Sequence, residues 1–239
     1  MLELVLAASL TALATGLGAI PVILLGEDAE ALRPALLGVA GGVMVVAAIA
    51  GLLVPAWDEG EPLEIAAGLV LGVVFLVVAR SLFGHMRPAV SQATRTSALV
   101  FFVLLIHSLP EGFAIGTAFA SDTEGLALFV VLAIAIQNIP EGTSVAIPMA
   151  AAGQSAAHQF WAAVATSLPQ PVGALVAFLL VEQVAALLPV SFAFAAGAML
   201  ALVVIEVAPV ALRDGRRRAL AGAAVGAAAM LALSWALGV

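Results

Sequence analysis

The sequence predicts an all-α polytopic membrane protein. It is read as one domain, residues 1–239, of eight transmembrane helices, with spans one to three and six to eight related by inversion around a central pair, spans four and five. Three observations carry this reading. Hydrophobic residues make up 64% of the chain and charged residues 10%, too little charge to furnish the water-facing surface of a soluble domain. The apolar residues fall into eight runs of about 20, the length that crosses a bilayer. Two of those runs carry matching polar patterns, His107-Ser108-Leu109-Pro110-Glu111-Gly112 and Gln137-Asn138-Ile139-Pro140-Glu141-Gly142.

In order, the runs are residues 2–25, 34–57, 63–83, 97–120, 126–150, 158–182, 187–210 and 217–239. The first opens on Met1-Leu2-Glu3-Leu4, without the basic region of a cleaved signal, so it is read as a span. The second contains Ala40-Gly41-Gly42-Val43-Met44 and then Pro55; the seventh contains Ala195-Ala196-Gly197-Ala198-Met199 and then Glu206 and Pro209. That echo is the sequence basis for the inverted relation. The fourth and fifth hold the doubled motif, and the sixth opens near His158 and holds Gln170-Pro171-Val172-Gly173. Trp57, Trp161 and Trp235 fall near the ends of spans, as interfacial anchors do. Short links favour antiparallel neighbours in a compact bundle.

All 8 basic residues are arginines, in or beside the links after spans one, three and seven: Arg33; Arg80, Arg87 and Arg95; Arg213, Arg216, Arg217 and Arg218. The links after spans two, four and six hold none, and carry Asp58, Glu59, Glu61, Asp122 and Glu124 instead. The positive-inside rule therefore places the arginine links in the cytoplasm and both termini outside. A net charge of −7 argues against nucleic acid as a partner. With 0 cysteines, neither disulfides nor thiolate metal ligation is available. Arginine without lysine, with abundant Ala and Val, points to a GC-rich prokaryote and hence to its plasma membrane.

A carboxylate deep in a bilayer is costly unless it is paired or coordinated, which makes Glu111 and Glu141 candidate functional residues. His107 and Glu111 are four apart and share a helix face; Gln137 and Glu141 repeat the spacing. Pro110 and Pro140 each remove an amide donor, freeing the carbonyls of Ile106 and Ile136, and such breaks are tolerated at depth where the backbone lines a cavity or is otherwise re-satisfied. One imidazole, one amide oxygen and two carboxylates suit a borderline divalent ion such as Zn²⁺, Fe²⁺ or Mn²⁺ better than Mg²⁺. The bland alternative is a polar seam that holds two kinked helices together.

The doubled motif, with the motifs of spans two, six and seven, resembles the ZIP (Zrt/Irt-like) divalent-metal transporters, most closely their GufA-like prokaryotic branch. The resemblance extends over essentially the whole chain. It implies eight spans with both termini outside, transport of divalent metals (usually Zn²⁺) into the cytoplasm between spans four and five, and often homodimers. It maps the primary metal position onto His107, Glu111, Gln137 and Glu141, with Met44 as an added thioether. It places the family's second metal position at Ser108, Asn138 and Gln170, where this chain has neutral residues, so one well-bound metal is expected. It also suggests Glu206 as an exit-path carboxylate. The single His85 in the link after span three makes a metal-sensing loop doubtful.

The metal is expected as cargo, with no resident cofactor. Two other functions fit parts of the pattern: a non-transporting intramembrane metal sensor or partner subunit, and an intramembrane metal-dependent hydrolase. The hydrolase lacks a visible nucleophile, a substrate domain and a His-Glu-x-x-His motif.

Overall fold

The computed structural model describes residues 1–84 and 92–239, with the side chains of residue 27, residues 83–84 and residues 92–104 excepted. His85 and Arg87 lie outside the described residues, as does the side chain of Arg95. The described residues form helices and no strands: α1 (Leu2–Leu17), α2 (Ala19–Leu25), α3 (Arg33–Ala48), α4 (Val54–Glu59), α5 (Pro62–Gly84), α6 (Gln92–Ala120), α7 (Leu126–Ala151), α8 (Ala156–Thr166), α9 (Pro169–Gln183), α10 (Leu188–Leu202) and α11 (Ala208–Leu237). Among the described residues, 6 helical stretches are long and apolar enough to cross a membrane. The last of these runs from Ala185 to Leu237 and turns at Gly215, whose backbone is not helical.

Prolines explain where the helices are interrupted, and where they are not. Pro21 has no N–H for the carbonyl of Leu17, and α1 gives way to α2 at Gly18. Pro169 and Pro171 likewise separate α8 from α9. Pro55 and Pro209 are each preceded by a π-turn, Ile49–Leu53 and Val203–Val207, which absorbs the missing bond by widening the ladder. By contrast, α6 continues through Pro110 and α7 through Pro140 and Pro148. One missing bond can be tolerated when the flanking ladder holds.

Glycines four apart set the closest helix pairings, because a side chain there would strike the neighbour's backbone. A Cβ on Gly38 or Gly42 of α3 would meet the carbonyls of Ala219 or Ala223 of α11. Gly68 and Gly72 of α5 stand against Val190 and Phe194 of α10, and Gly112 and Gly116 of α6 against Gln170 and Ala174 of α9. Gly142 of α7 faces the carbonyl of Thr15, while the Asn138 side chain donates to the carbonyl of Thr11 at 2.7 Å. In every pair both numbers rise together, so the paired helices are parallel.

These pairings sort the bundle into two groups. One holds α1, α6, α7, α8 and α9; the other holds α3, α5, α10 and α11, and they meet chiefly where α3 packs on α7 and α10 on α6. Phe194 of α10 lies edge-on between Phe75 and Phe113, with ring centroids 5.6 and 5.0 Å away. The links also sort by end. Arg218 donates to the carbonyl of Ala31 at 2.8 Å, and Arg33 pairs with Asp214 at 3.3 Å. At the opposite end Gly60 abuts Pro189 and Gly125 abuts the carbonyl of Leu237.

Candidate metal centre

The polarity of the described bundle is reversed relative to a soluble protein. Leu10, Leu63, Val70 and Leu82 face outward, while Glu111 and Glu141 are buried. Interior carboxylates of this kind need a partner or a cation.

Glu111 sits on α6 beside Gly112, and at that glycine the backbone of α9 comes close enough to bring Gln170 onto the carboxylate. Gln170 Nε2 donates to Glu111 Oε2 at 2.7 Å, and Gln137 Nε2 of α7 donates to Glu111 Oε1 at 2.7 Å. Gln170 is held from its other side as well. Its Oε1 accepts from Thr11 Oγ1 at 2.9 Å and from Asn138 Nδ2 at 3.2 Å, and its Nε2 also reaches Asn138 Oδ1 at 3.3 Å. Turning the amide over would set its oxygen against the carboxylate, so this network fixes the NH₂ toward Glu111. Below it, Thr15 and Ser167 share a hydroxyl hydrogen bond of 2.6 Å.

Two acceptors in this setting have no donor: Gln137 Oε1 and Glu141 Oε1 are fully buried and unpaired. Buried orphan oxygens are rare and call for an explanation, such as an ordered water or an ion between them. His107, one turn before Glu111, faces another way. Its Nε2 is 3.9 Å from Oε1 of Glu206, which lies in the second π-turn, and Arg80 Nε of α5 is 3.2 Å from the same oxygen.

The site residues expected from the sequence therefore fall into three sets. Glu111, Gln137, Asn138 and Gln170 form one hydrogen-bonded network; His107 points to Glu206; Glu141 is buried with one oxygen unpaired. Ser108 is buried beside His107, and Met44 is fully buried in the main apolar core with Met199. Among the described residues, no three of His, Asp and Glu converge closely enough to hold a metal. Amides take both oxygens of Glu111, and the nearest carboxylate oxygen to His107 Nε2 is that of Glu206, at 3.9 Å. The sequence reading did not anticipate Thr11, Thr15 and Ser167. Two threonines four apart in an apolar span were the available signal.

Fold and centre together define a helical integral membrane protein with an acceptor-rich polar interior. Residues 84–234 match the ZIP zinc transporter family. The zinc transporter GufA of Myxococcus xanthus is 35% identical over 97% of this chain and 98% of its own length. Zinc transporter ZIPB of Bordetella bronchiseptica is 34% identical over 94% of this chain and 78% of its own. An Arabidopsis thaliana relative is 34% identical over 93% of this chain, which spans 37% of that protein. The chain belongs to the ZIP family, a family of transporters and not of enzymes.

Proposed function

We propose that this protein carries divalent transition-metal ions, Zn²⁺ foremost, with Fe²⁺, Mn²⁺ and Cd²⁺ sharing its ligand preferences, into the cytoplasm across a prokaryotic plasma membrane. The cargo binds at His107, Glu111, Gln137 and Glu141, with Met44 as a weaker participant. The observation that carries this reading is the pair of buried unpaired oxygens, Gln137 Oε1 and Glu141 Oε1, one turn apart on α7. Relatives named zinc transporters support the cargo. A dication must shed water to enter, and anionic oxygens replace that hydration. Its arrival brings in Glu111 by exchanging an amide hydrogen bond for a metal contact.

Gln170 makes this a one-metal site. A second dication beside Glu111 would lie where the Gln170 NH₂ now donates, and would meet neutral Asn138 and Ser108. Gln170→Glu is expected to raise bound Zn²⁺ from one toward two per chain, measured by equilibrium dialysis with metal analysis. A stoichiometry that stays at one speaks against the amide as the cause.

The same reading takes the bundle as eight spans with both termini outside and spans one to three inverted onto six to eight. Two features support it. The pairings one–five, two–eight, three–seven and four–six are exchanged among themselves when one is swapped with six, two with seven, three with eight and four with five. The π-turns at 49–53 and 203–207 fall in spans two and seven, which that swap relates. The arginines of residues 33 and 213–218 gather at one end, consistent with the cytoplasmic face.

The closed amide ring around Glu111 favours a second reading, a subunit that binds metal without passing it. Zn²⁺ uptake into proteoliposomes decides between them. Saturable uptake that is lost in Glu141→Ala is expected; binding without flux in the wild type would give the sensor reading its place.

A further inference from the structure

We propose that Arg80 is a tethered cation that occupies Glu206 until the cargo ion displaces it, making the Arg80–Glu206 pair a gate on the way out from His107. The inference rests on the transporter reading above and adds to it a residue outside the proposed ligand set.

Three side chains stand in sequence from the interior to the surface. His107 is 5% exposed, Glu206 17% and Arg80 53%. One oxygen, Glu206 Oε1, lies between the other two, 3.9 Å from the imidazole and 3.2 Å from the guanidinium. An ion leaving His107 therefore meets Glu206 next, and meets it already paired with a positive charge. A dication arriving at that oxygen repels the guanidinium and competes with it for the carboxylate, which weakens the hold of Arg80. Arg80, 53% exposed, has the open side of the site to swing into.

The pair is built to be exchanged. Glu206 Oε1 is buried yet makes no hydrogen bond, so Arg80 holds it by charge without the aligned N–H that makes an arginine–carboxylate pair strong. Half-exposed ion pairs of this kind contribute little and are readily replaced. Three other arginines are engaged at the link residues: Arg33 with Glu30 and Asp214, Arg213 with Asp214, and Arg218 with the carbonyl of Ala31. Arg80 differs in reaching a carboxylate that a helix pair carries into the bundle, α5 lying parallel to α10 with Gly68 and Gly72 at the contact. That carboxylate also sits in a π-turn, a local widening common at functional sites. With Arg80 in place, Glu206 is neutralised in the empty protein; with the ion in place, the ion neutralises it.

The test compares wild type, Arg80→Gln, Arg80→Lys and the double variant Arg80→Gln/Glu206→Gln, all as full chains with Zn²⁺ as the probe. In detergent, calorimetry should show Arg80→Gln binding Zn²⁺ about tenfold more tightly, at the low end of coupling between interacting sites. In proteoliposomes the same variant should show a lower KM together with a lower maximal rate, because an uncontested carboxylate retains the ion. Arg80→Lys should behave as wild type, and the double variant should lose the tight binding. Unchanged Zn²⁺ affinity in well-folded Arg80→Gln, verified by its elution as a single species, overturns the proposal. So does a fall in rate at unchanged KM and affinity, which marks a structural role. If wild type shows no flux, the transporter reading fails separately, and the calorimetric comparison still decides whether Arg80 competes with the ion.

Discussion

In the group formed by α1, α6, α7, α8 and α9, the buried interior carries hydroxyls, amides and carboxylates. In the group formed by α3, α5, α10 and α11 it is almost wholly apolar, built of alanine, glycine, valine, leucine, phenylalanine and methionine. Among the described residues, every buried polar side chain except Ser191 and Ser234 lies in the first group. Both groups use the same glycine contacts to bring helices together. Close packing is therefore common to the whole bundle, and chemistry is confined to half of it. The apolar group acts as a frame, touching the polar one through α3 on α7 and α10 on α6. Glu206 and its partner Arg80 are the frame's polar contribution to the centre.

This contrast can be broken from the polar side first. Glu111→Ala leaves two buried amides, Gln137 Nε2 and Gln170 Nε2, without their acceptor. Each buried donor left unsatisfied should cost about 1–3 kcal/mol. Uptake should vanish and thermal unfolding in detergent should fall well below wild type; near-normal stability would mean the network is not what holds these helices in register. Next comes the frame. Gly42→Leu drives a side chain into the backbone of Ala223, and overpacking of this kind costs about 1–3 kcal/mol. It should lower yield and unfolding temperature while any folded fraction keeps wild-type Zn²⁺ affinity. If affinity falls with stability, frame and centre are not separable. Smallest of all is Ser191→Ala, a buried hydroxyl in the frame, expected within about 0.5 kcal/mol of wild type with unchanged uptake.

The sequence showed the helices and the polar residues set within them, because both follow from short-range patterns. Apolar runs of span length located nearly every helix, and a carboxylate in such a run is conspicuous wherever it lies. The partners of those residues were not legible. That Gln170 would turn its NH₂ to Glu111 depends on Thr11 and Asn138, from spans far apart in the chain. That His107 would face Glu206 depends on the packing of α10 against α6. How each proline is absorbed was not legible: Pro110 and Pro140 lie within continuous helix, while Pro21, Pro55, Pro169 and Pro209 mark the irregular turns. A proline states that one hydrogen bond is missing; the surroundings decide whether the helix breaks, widens or continues. The glycine pairs at 38 and 42, 68 and 72, 112 and 116, and 222 and 226 were visible as a spacing, yet their partners were not.

None of the closest pairings joins helices that follow one another in the chain. A protein made from its first residue onward must therefore keep unpaired glycine faces waiting in lipid. The faces of Gly112 and Gly116 find α9 after two intervening helices, α7 and α8, whereas those of Gly38 and Gly42 wait for α11, after seven. The frame is thus completed only once α11 has been made, after the polar centre has had its partners for some time. A ribosome that stalls before residue 219 would leave the cell with a finished site in an open cradle.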